Sequence, residues 1–197
     1  MISANLLGGF TKAADCGVHS NRSRQQLMAL KLWLKLLIGI SYHKDGQDQI
    51  LALKDILDYM CDLYEHLEGN CYKSIIIYHK NYSIHKLTLH HKKDESEQIL
   101  LLIHNLCYSP SNRIRISQHN RILSCLKQAL TPDEPIRKQQ MAASACWSLM
   151  SSSQKAKGRL KAIGLREKLD IAIKLFEEEP EQIPIHHFKA ALELITT

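Results

Sequence analysis

Four histidines, His79, His85, His90 and His91, crowd one short stretch, and imidazoles so close together are the first place to look for a metal ion. A zinc site completes its tetrahedron with cysteine, histidine or carboxylate at short, fixed spacings. No nearby cysteine or acid completes a recognised ligand set, so these read as surface histidines and no metal is expected. The six cysteines are Cys16, Cys61, Cys71, Cys107, Cys125 and Cys146. None pairs with another in a Cys-x-x-Cys spacing, which removes the zinc-ribbon and thioredoxin patterns. Cys107 and Cys146 lie inside apolar helical patterns and read as small core hydrophobes. Cys71 with a histidine could form a nucleophile pair, but among eleven histidines that pairing is unspecific. Asp170 and the glutamates at 177–179 are helix-surface charges without the set geometry of a carboxylate pair. There is no glycine-rich phosphate loop and no Gly-x-Ser-x-Gly elbow. The residues point away from an enzyme, and no cofactor is expected.

Charge is a stronger signal than any of these. The chain carries a formal +6 over 197 residues, but ten basic residues and two acids between Arg113 and Lys161 give that segment +8 by itself. Such an excess either attracts an acidic partner or is a solvated face. Lys155, Lys157, Arg159 and Lys161 are its densest part. Phosphate contacts are the competing use. The stacking aromatics of single-strand nucleic-acid binders are scarce there, with Trp147 alone.

The elements that position these residues read as helices. Few glycines and prolines, eight and five, favour long helices over many short strands. Residues 1–21 read as a loose leading segment. A helix over 20–42, capped by Asn21 or Ser23, carries Leu27, Leu30, Leu34, Leu37 and Ile38 on one face. Leu32, Trp33 and Leu36 spread its apolar surface almost all round, so it must be covered on more than one side. Its apolar run is about fourteen residues with Lys31 and Lys35 inside, short of the roughly 20 needed to span a bilayer. Residues 1–10 lack the features of a signal peptide, and the expected location is the cytoplasm. Gly46 separates this helix from an amphipathic one over 47–67, which Gly69 and Asn70 end. Residues 70–93 could be a hairpin, since Ile75, Ile76, Ile77 and Tyr78 are β-branched and aromatic. A short helix and then an exposed basic loop is the favoured reading, because the neighbours are helical. Helices follow over 94–108, broken at Ser109-Pro110, then 120–130, 135–151, 154–163 with Gly164 as its stop, 165–178 and 186–196.

Sliding the chain along itself by 43 residues brings Ile99, Leu100, Leu102, Ile103, Leu106 and Cys107 onto Ala142, Ala143, Ala145, Cys146, Leu149 and Met150. The shared form is an apolar helix, a small polar break and a basic turn into another helix. A period near 43 lies within the roughly 40–47 residues of HEAT and armadillo units. One such unit cannot bury its apolar faces alone, and stacked units leave an elongated concave surface. The helices of 20–67 could be a third, degenerate unit. The expected fold class is all-α, an armadillo/HEAT-like right-handed stack of helical repeats. It would form a single domain over residues 22–197, with a basic loop near 70–93.

The segments LIHNLCYSPSNRIRI (102–116) and AASACWSLMSSSQKAKGRLKAIGL (142–165) resemble consecutive armadillo repeats. More specifically, NLCYSPSNR and CWSLMSSSQKAK resemble the C-terminal armadillo region of the rotatin family, large proteins of centrioles and basal bodies. The resemblance covers about the last hundred residues. It implies a terminal fragment of a much larger protein, located at the centrosome or centriole, whose partners are centriolar or coiled-coil proteins and acidic segments. In armadillo repeats a ladder of asparagines lines the groove. Asn105 matches that position, but its counterpart one period on is Ser148, so the ladder is already broken. Trp147 is a groove residue by analogy, whereas its neighbours Ala145, Cys146 and Leu149 suit a core aromatic. The candidate partner-binding residues are therefore Asn105, Trp147, Lys155, Lys157, Arg159 and Lys161. A protein-binding scaffold is the leading expectation, and RNA or DNA binding by the basic segment is the alternative. Neither a membrane nor an oligomeric state is indicated.

Overall fold

The computed structural model describes residues 24–77, 95–151, 153–178 and 185–197. Every regular element among them is an α-helix, as the composition and periodicity led us to expect. In chain order they are α1 (Arg24–Ser41), α2 (Lys44–Ala52), α3 (Ile56–Ile77), α4 (residues 95–106) and α5 (Pro110–Gln118). Then come α6 (Asn120–Ala129), α7 (Ile136–Met150), α8 (Gln154–Ala162), α9 (Leu165–Glu178) and α10 (His186–Thr196). The leading segment, the candidate caps Asn21 and Ser23, and the part of the 70–93 stretch beyond Ile77 lie outside the described residues. So do His79, His85, His90 and His91.

Several boundaries differ from the sequence reading, each for a local reason. The helix expected over 47–67 is two helices. The chain leaves α2 at Leu53 in an extended conformation and turns at Asp55, which adopts a left-handed φ of 60°. Gly46 does not separate helices. It is the buried third residue of α2, where a Cβ would run into the carbonyl oxygen of Ile40, so α2 approaches the end of α1 through a residue without a side chain. Gly69 and Asn70 do not end α3, which continues to Ile77. Pro110 starts a helix as well as stopping one, because its missing N–H and fixed φ suit the first helical position. Gly164 does what the sequence implied. At a φ of 76° it closes the turn after α8, while Ser153 caps the other end by accepting from the Ala156 N–H at 3.2 Å.

The chain divides into two compact units, Met1–Leu102 and Ile103–Thr197, with the division falling inside α4. In the first unit α1 packs on α2 and α2 on α3. Leu30, Leu34, Leu37, Ile50, Ile56, Met60 and Tyr64 supply the core, and Lys31 meets the fully buried Glu95 at 3.4 Å. In the second unit α7 packs on α6 and α10, α9 on α10, and α5 on α8.

The burial pattern shows a repeat that goes further than the 43-residue match. In α4 the buried residues Glu95, Ile99, Leu102, Ile103 and Leu106 are spaced four, three, one and three apart. In α7 the same spacing gives Lys138, Ala142, Ala145, Cys146 and Leu149, and in α1 it gives Leu30, Leu34, Leu37, Ile38 and Ser41, all buried. In α10 it runs through Phe188, Ala191 and Ile195. The nine-residue helices α2, α5 and α8 agree with one another too. Each buries its third and seventh residues, Gly46 and Ile50, Asn112 and Ile116, Ala156 and Leu160. Among the described residues, helices thus follow one another in sets of three, α2–α4, α5–α7 and α8–α10, each set opening with a nine-residue helix.

Candidate functional site

If one face of each long helix is buried in a common register, the opposite face is a row of equivalent positions. In the second unit His104 and Trp147 share one such position, and the side chains beside them are aromatic or uncharged. His104 sits on the last turn of α4, with Tyr108 one turn on. Gln140, Ser144 and Trp147 follow one another at helical spacing on α7, and His186 and His187 begin α10. His104, Tyr108, Gln140, Met141, Ser144, His186 and His187 line a hollow of about 280 Å³.

His104 is its centre. Its Nε2 lies 3.0 Å from Ser144 Oγ and 3.3 Å from the Tyr108 hydroxyl, and its Nδ1 lies 3.4 Å from Asn105 Oδ1. With the Asn105 oxygen accepting from a protonated Nδ1, the neutral ring has one lone pair at Nε2, which takes the nearer Ser144 hydroxyl as donor. Burial pushes the His104 pKa below its ordinary value. The hydrogen bond to Asn105 opposes this, and the neighbouring His187 adds to it. His187 is likewise lowered, by burial and then by His186, whose ring centroid is 3.9 Å away. Tyr108 meets His104 edge to face at 4.9 Å, and Trp147 lies at a tilt 6.5 Å from His187. Arg113 fixes the rim. It donates from Nε to the Cys107 carbonyl at 2.8 Å, from Nη2 to the Tyr108 carbonyl at 2.9 Å and from Nη1 to Ser151 Oγ at 3.1 Å. It thereby satisfies carbonyls at the end of α4 that no helical N–H reaches.

The arrangement offers binding surface, and its nearest nucleophiles are out of play. The thiols of Cys107 and Cys146 are fully buried, and burial pushes the first up to about 12 and the second higher still. Both are protonated at neutral pH. Cys61 and Cys125 are also free and buried. Among the described residues no three His, Cys, Asp or Glu side chains come together as metal ligands.

The residues singled out from sequence are only partly gathered here. Asn105 is buried and touches the site through His104. Trp147 is 37% exposed, although Ala145, Cys146, Ser148 and Leu149 around it are buried, so it stands on the surface row and not in the core. The four cations of α8 do not share a face. Lys155 and Arg159 lie on one side, and Lys157 and Lys161 nearly opposite, as alternate positions on a helix must. Arg159 donates from Nη1 to the carbonyls of Gln118 at 3.0 Å and Ser117 at 3.4 Å, at the end of α5. Lys157 reaches Thr197 Oγ1 at 3.4 Å, while Lys155 and Lys161 are exposed. Sequence reasoning missed His104, Tyr108 and His187. The 43-residue match held the signal for the first, since it places His104 on Trp147.

No protein-family profile matches the chain. Rotatin of Mus musculus is 32% identical over 141 residues, which is 72% of this chain and 5% of that protein. Rotatin of Homo sapiens is 31% identical over 146 residues, 73% of this chain and 5% of that protein. The chain is thus similar to rotatin over most of its own length, and spans about a twentieth of the length of these curated relatives. No helix among the described residues is long and apolar enough to cross a membrane.

Proposed function

Given its similarity to rotatin, we propose that this chain is an armadillo-like stack of helical repeats that docks another protein, within the assembly of centrioles or basal bodies. The observation that carries the reading is the surface row of the second unit. His104 and Trp147 stand at equivalent places on α4 and α7, and Tyr108 and His187 lie beside them around an uncharged hollow whose rim Arg113 fixes. Aromatic and amphipathic side chains held rigid by the helices behind them make effective anchors for a partner. The basic segment plays a secondary part. Its free cations, Lys155 and Lys161, suit steering of an acidic or coiled-coil partner more than tight contact. With Arg113 and Arg159 bound to carbonyls, a continuous track for phosphates is less well supported than protein docking.

The test is a pulldown from dividing cells with the chain carrying Tyr108→Ala and Trp147→Ala together, beside a second variant with Lys155→Glu and Lys161→Glu. Both variants spare Arg159. The aromatic pair should lose specific partners and centriolar localisation while keeping its circular dichroism. The charge pair should keep its partners at physiological salt and bind them more slowly. Undiminished partners with the aromatic pair changed would overturn the reading. So would retention of nucleic acid through high-salt washes.

A further inference from the structure

The strongest feature unused by that reading is the outer face of α1. Met28, Leu32 and Leu36, four residues apart, are 64%, 60% and 43% exposed. At 3.6 residues per turn they share about 100° of arc with Lys35 and Gly39. Lys35 is exposed, and a Cβ at Gly39 would meet nothing within 4 Å. The face is therefore an open apolar stripe with a cation at its edge, on a helix that contains Arg24, Lys31 and Lys35 and no acid. In the burial register shared by α1, α4 and α7, Gly39 occupies the position of the partly exposed His104 and of the exposed Trp147.

We infer that this face of α1 is a docking site for an amphipathic α-helix of another protein, one with leucine-class side chains four residues apart and acids along one flank. Three arguments select this occupant. The stripe runs about two turns along one side of α1, drifting about 40° per step of four residues, and such an i±4n ridge is what a second helix packs across. Charge on α1 is of one sign, so a flanking Glu or Asp on the visitor gains from Lys35 and meets no repulsion from α1 itself. Three apolar side chains also fall far short of the roughly 20–30 residues a side in a standard interface between folded proteins, so the stripe by itself suits a short helix better than a second copy of this chain. An anionic membrane fits poorly, since Leu30, Leu34 and Leu37 hold the opposite side of α1 in the core and one exposed lysine is not a polybasic face. The inference goes beyond the docking site of the second unit and stands or falls apart from it.

The experiment replaces Leu36 in the whole chain with a benzophenone amino acid, irradiates in dividing cells and sequences the crosslinked peptide. A synthetic copy of that peptide is then titrated into purified protein. The expected result is a peptide of the stated pattern that gains helix on binding. Leu32→Glu should weaken it at least about tenfold and Lys35→Glu about threefold, with Trp147→Ala leaving it unchanged. Thermal midpoints of the variants check folding, and Lys35→Glu keeps the test decisive should Leu32→Glu perturb α1. Crosslinks to this chain's own residues, to a second copy or to lipid, or none above background, would overturn the inference. So would a peptide without the stripe, or one whose binding ignores both substitutions.

Discussion

Lys138 and Glu134 should respond very unequally to substitution, although they form one ion pair. Lys138 is 1% exposed, and its Nζ lies 3.0 Å from Glu134 Oε2, whose side chain is 15% exposed. Removing the carboxylate leaves an ammonium in the core that water cannot reach. Breaking a buried pair in this way costs about 3–5 kcal/mol, and the partial exposure of Glu134 places Glu134→Ala near about 3 kcal/mol. Lys138→Met is the opposite case. It removes the charge that is hard to solvate, keeps much of the volume, and leaves a carboxylate that water can approach. Replacing a buried charge by a packed apolar side chain is often neutral or stabilising, so the change should lie within about 1 kcal/mol of wild type. The repeat supports this, because the same rung of α1 is occupied by the buried Leu30. The bond from Gln139 Nε2 to the Glu134 carbonyl at 2.8 Å survives both changes and keeps the turn in place. Urea unfolding read by Trp147 fluorescence, in a Trp33→Phe background, reports on the second unit. The double variant should behave like Lys138→Met alone. A Lys138→Met cost as large as that of Glu134→Ala would refute the reasoning, for the pair would then be contributing net stability and not merely neutralising a buried charge.

Three further expectations follow from the same geometry. Leu106→Ala and Leu149→Ala remove fully buried side chains at equivalent rungs, so each should cost about 2–5 kcal/mol, and unchanged unfolding midpoints for both would show that the register is misread. Gly46→Ala gains about 1 kcal/mol of helix propensity but drives a Cβ into the Ile40 carbonyl, an overpacking that should destabilise by about 1–3 kcal/mol net; a thermal midpoint at or above wild type would contradict the close approach. Stability should also fall as the pH drops. The pKa values of His104 and His187 are lowered in the fold from 6.5, so below about 6.5 the unfolded chain takes up more protons than the folded one and unfolding is favoured. The loss begins near 6.5 and ends below the folded values. Melting curves at pH 7.5 and 5.5 should separate for wild type and less so for His104→Gln, and equal separation in both would remove His104 from the explanation.

Helices were legible in the sequence wherever apolar residues keep a 3.6-residue period between clear stops, as in α9 and α10. They were misread where a breaker residue has a second use. Pro110 opens α5 because a helix start lacks an N–H requirement there, and Gly46 lies within α2 because the Ile40 carbonyl leaves no room for a side chain. Residue type gives the propensity in both cases, but the neighbour that decides its use is distant in sequence or not apparent from it. The basic run is divided between two sides of its helix for a related reason. Counting charges places Lys155, Lys157, Arg159 and Lys161 together, whereas helix geometry puts alternate residues on opposite sides and the open carbonyls of α5 take Arg159.

The long helices show why apolar content alone cannot locate a site. Leu32 and Leu34 are the same residue type two positions apart in α1, yet one is 60% exposed and the other fully buried. Their difference lies in register: the three- and four-residue spacing puts Leu34 on the core face with Leu30 and Leu37, and Leu32 off it. On the buried rungs the repeat tolerates Leu30, Glu95 and Lys138 at one equivalent place, the charged pair each with an opposite charge in reach. On the open rungs it presents Gly39, His104 and Trp147. Selection for a core would make the first set uniform and leave the second free. At this one buried rung residue type varies as widely as on the open one, whereas the next three rungs, such as Leu34, Ile99 and Ala142, are apolar in all three helices. A binding surface built this way can change its partner chemistry one rung at a time while the helices behind it keep their packing. The aromatic row of the second unit and the apolar stripe of α1 differ in chemistry, and the two proposals made for them are therefore tested separately.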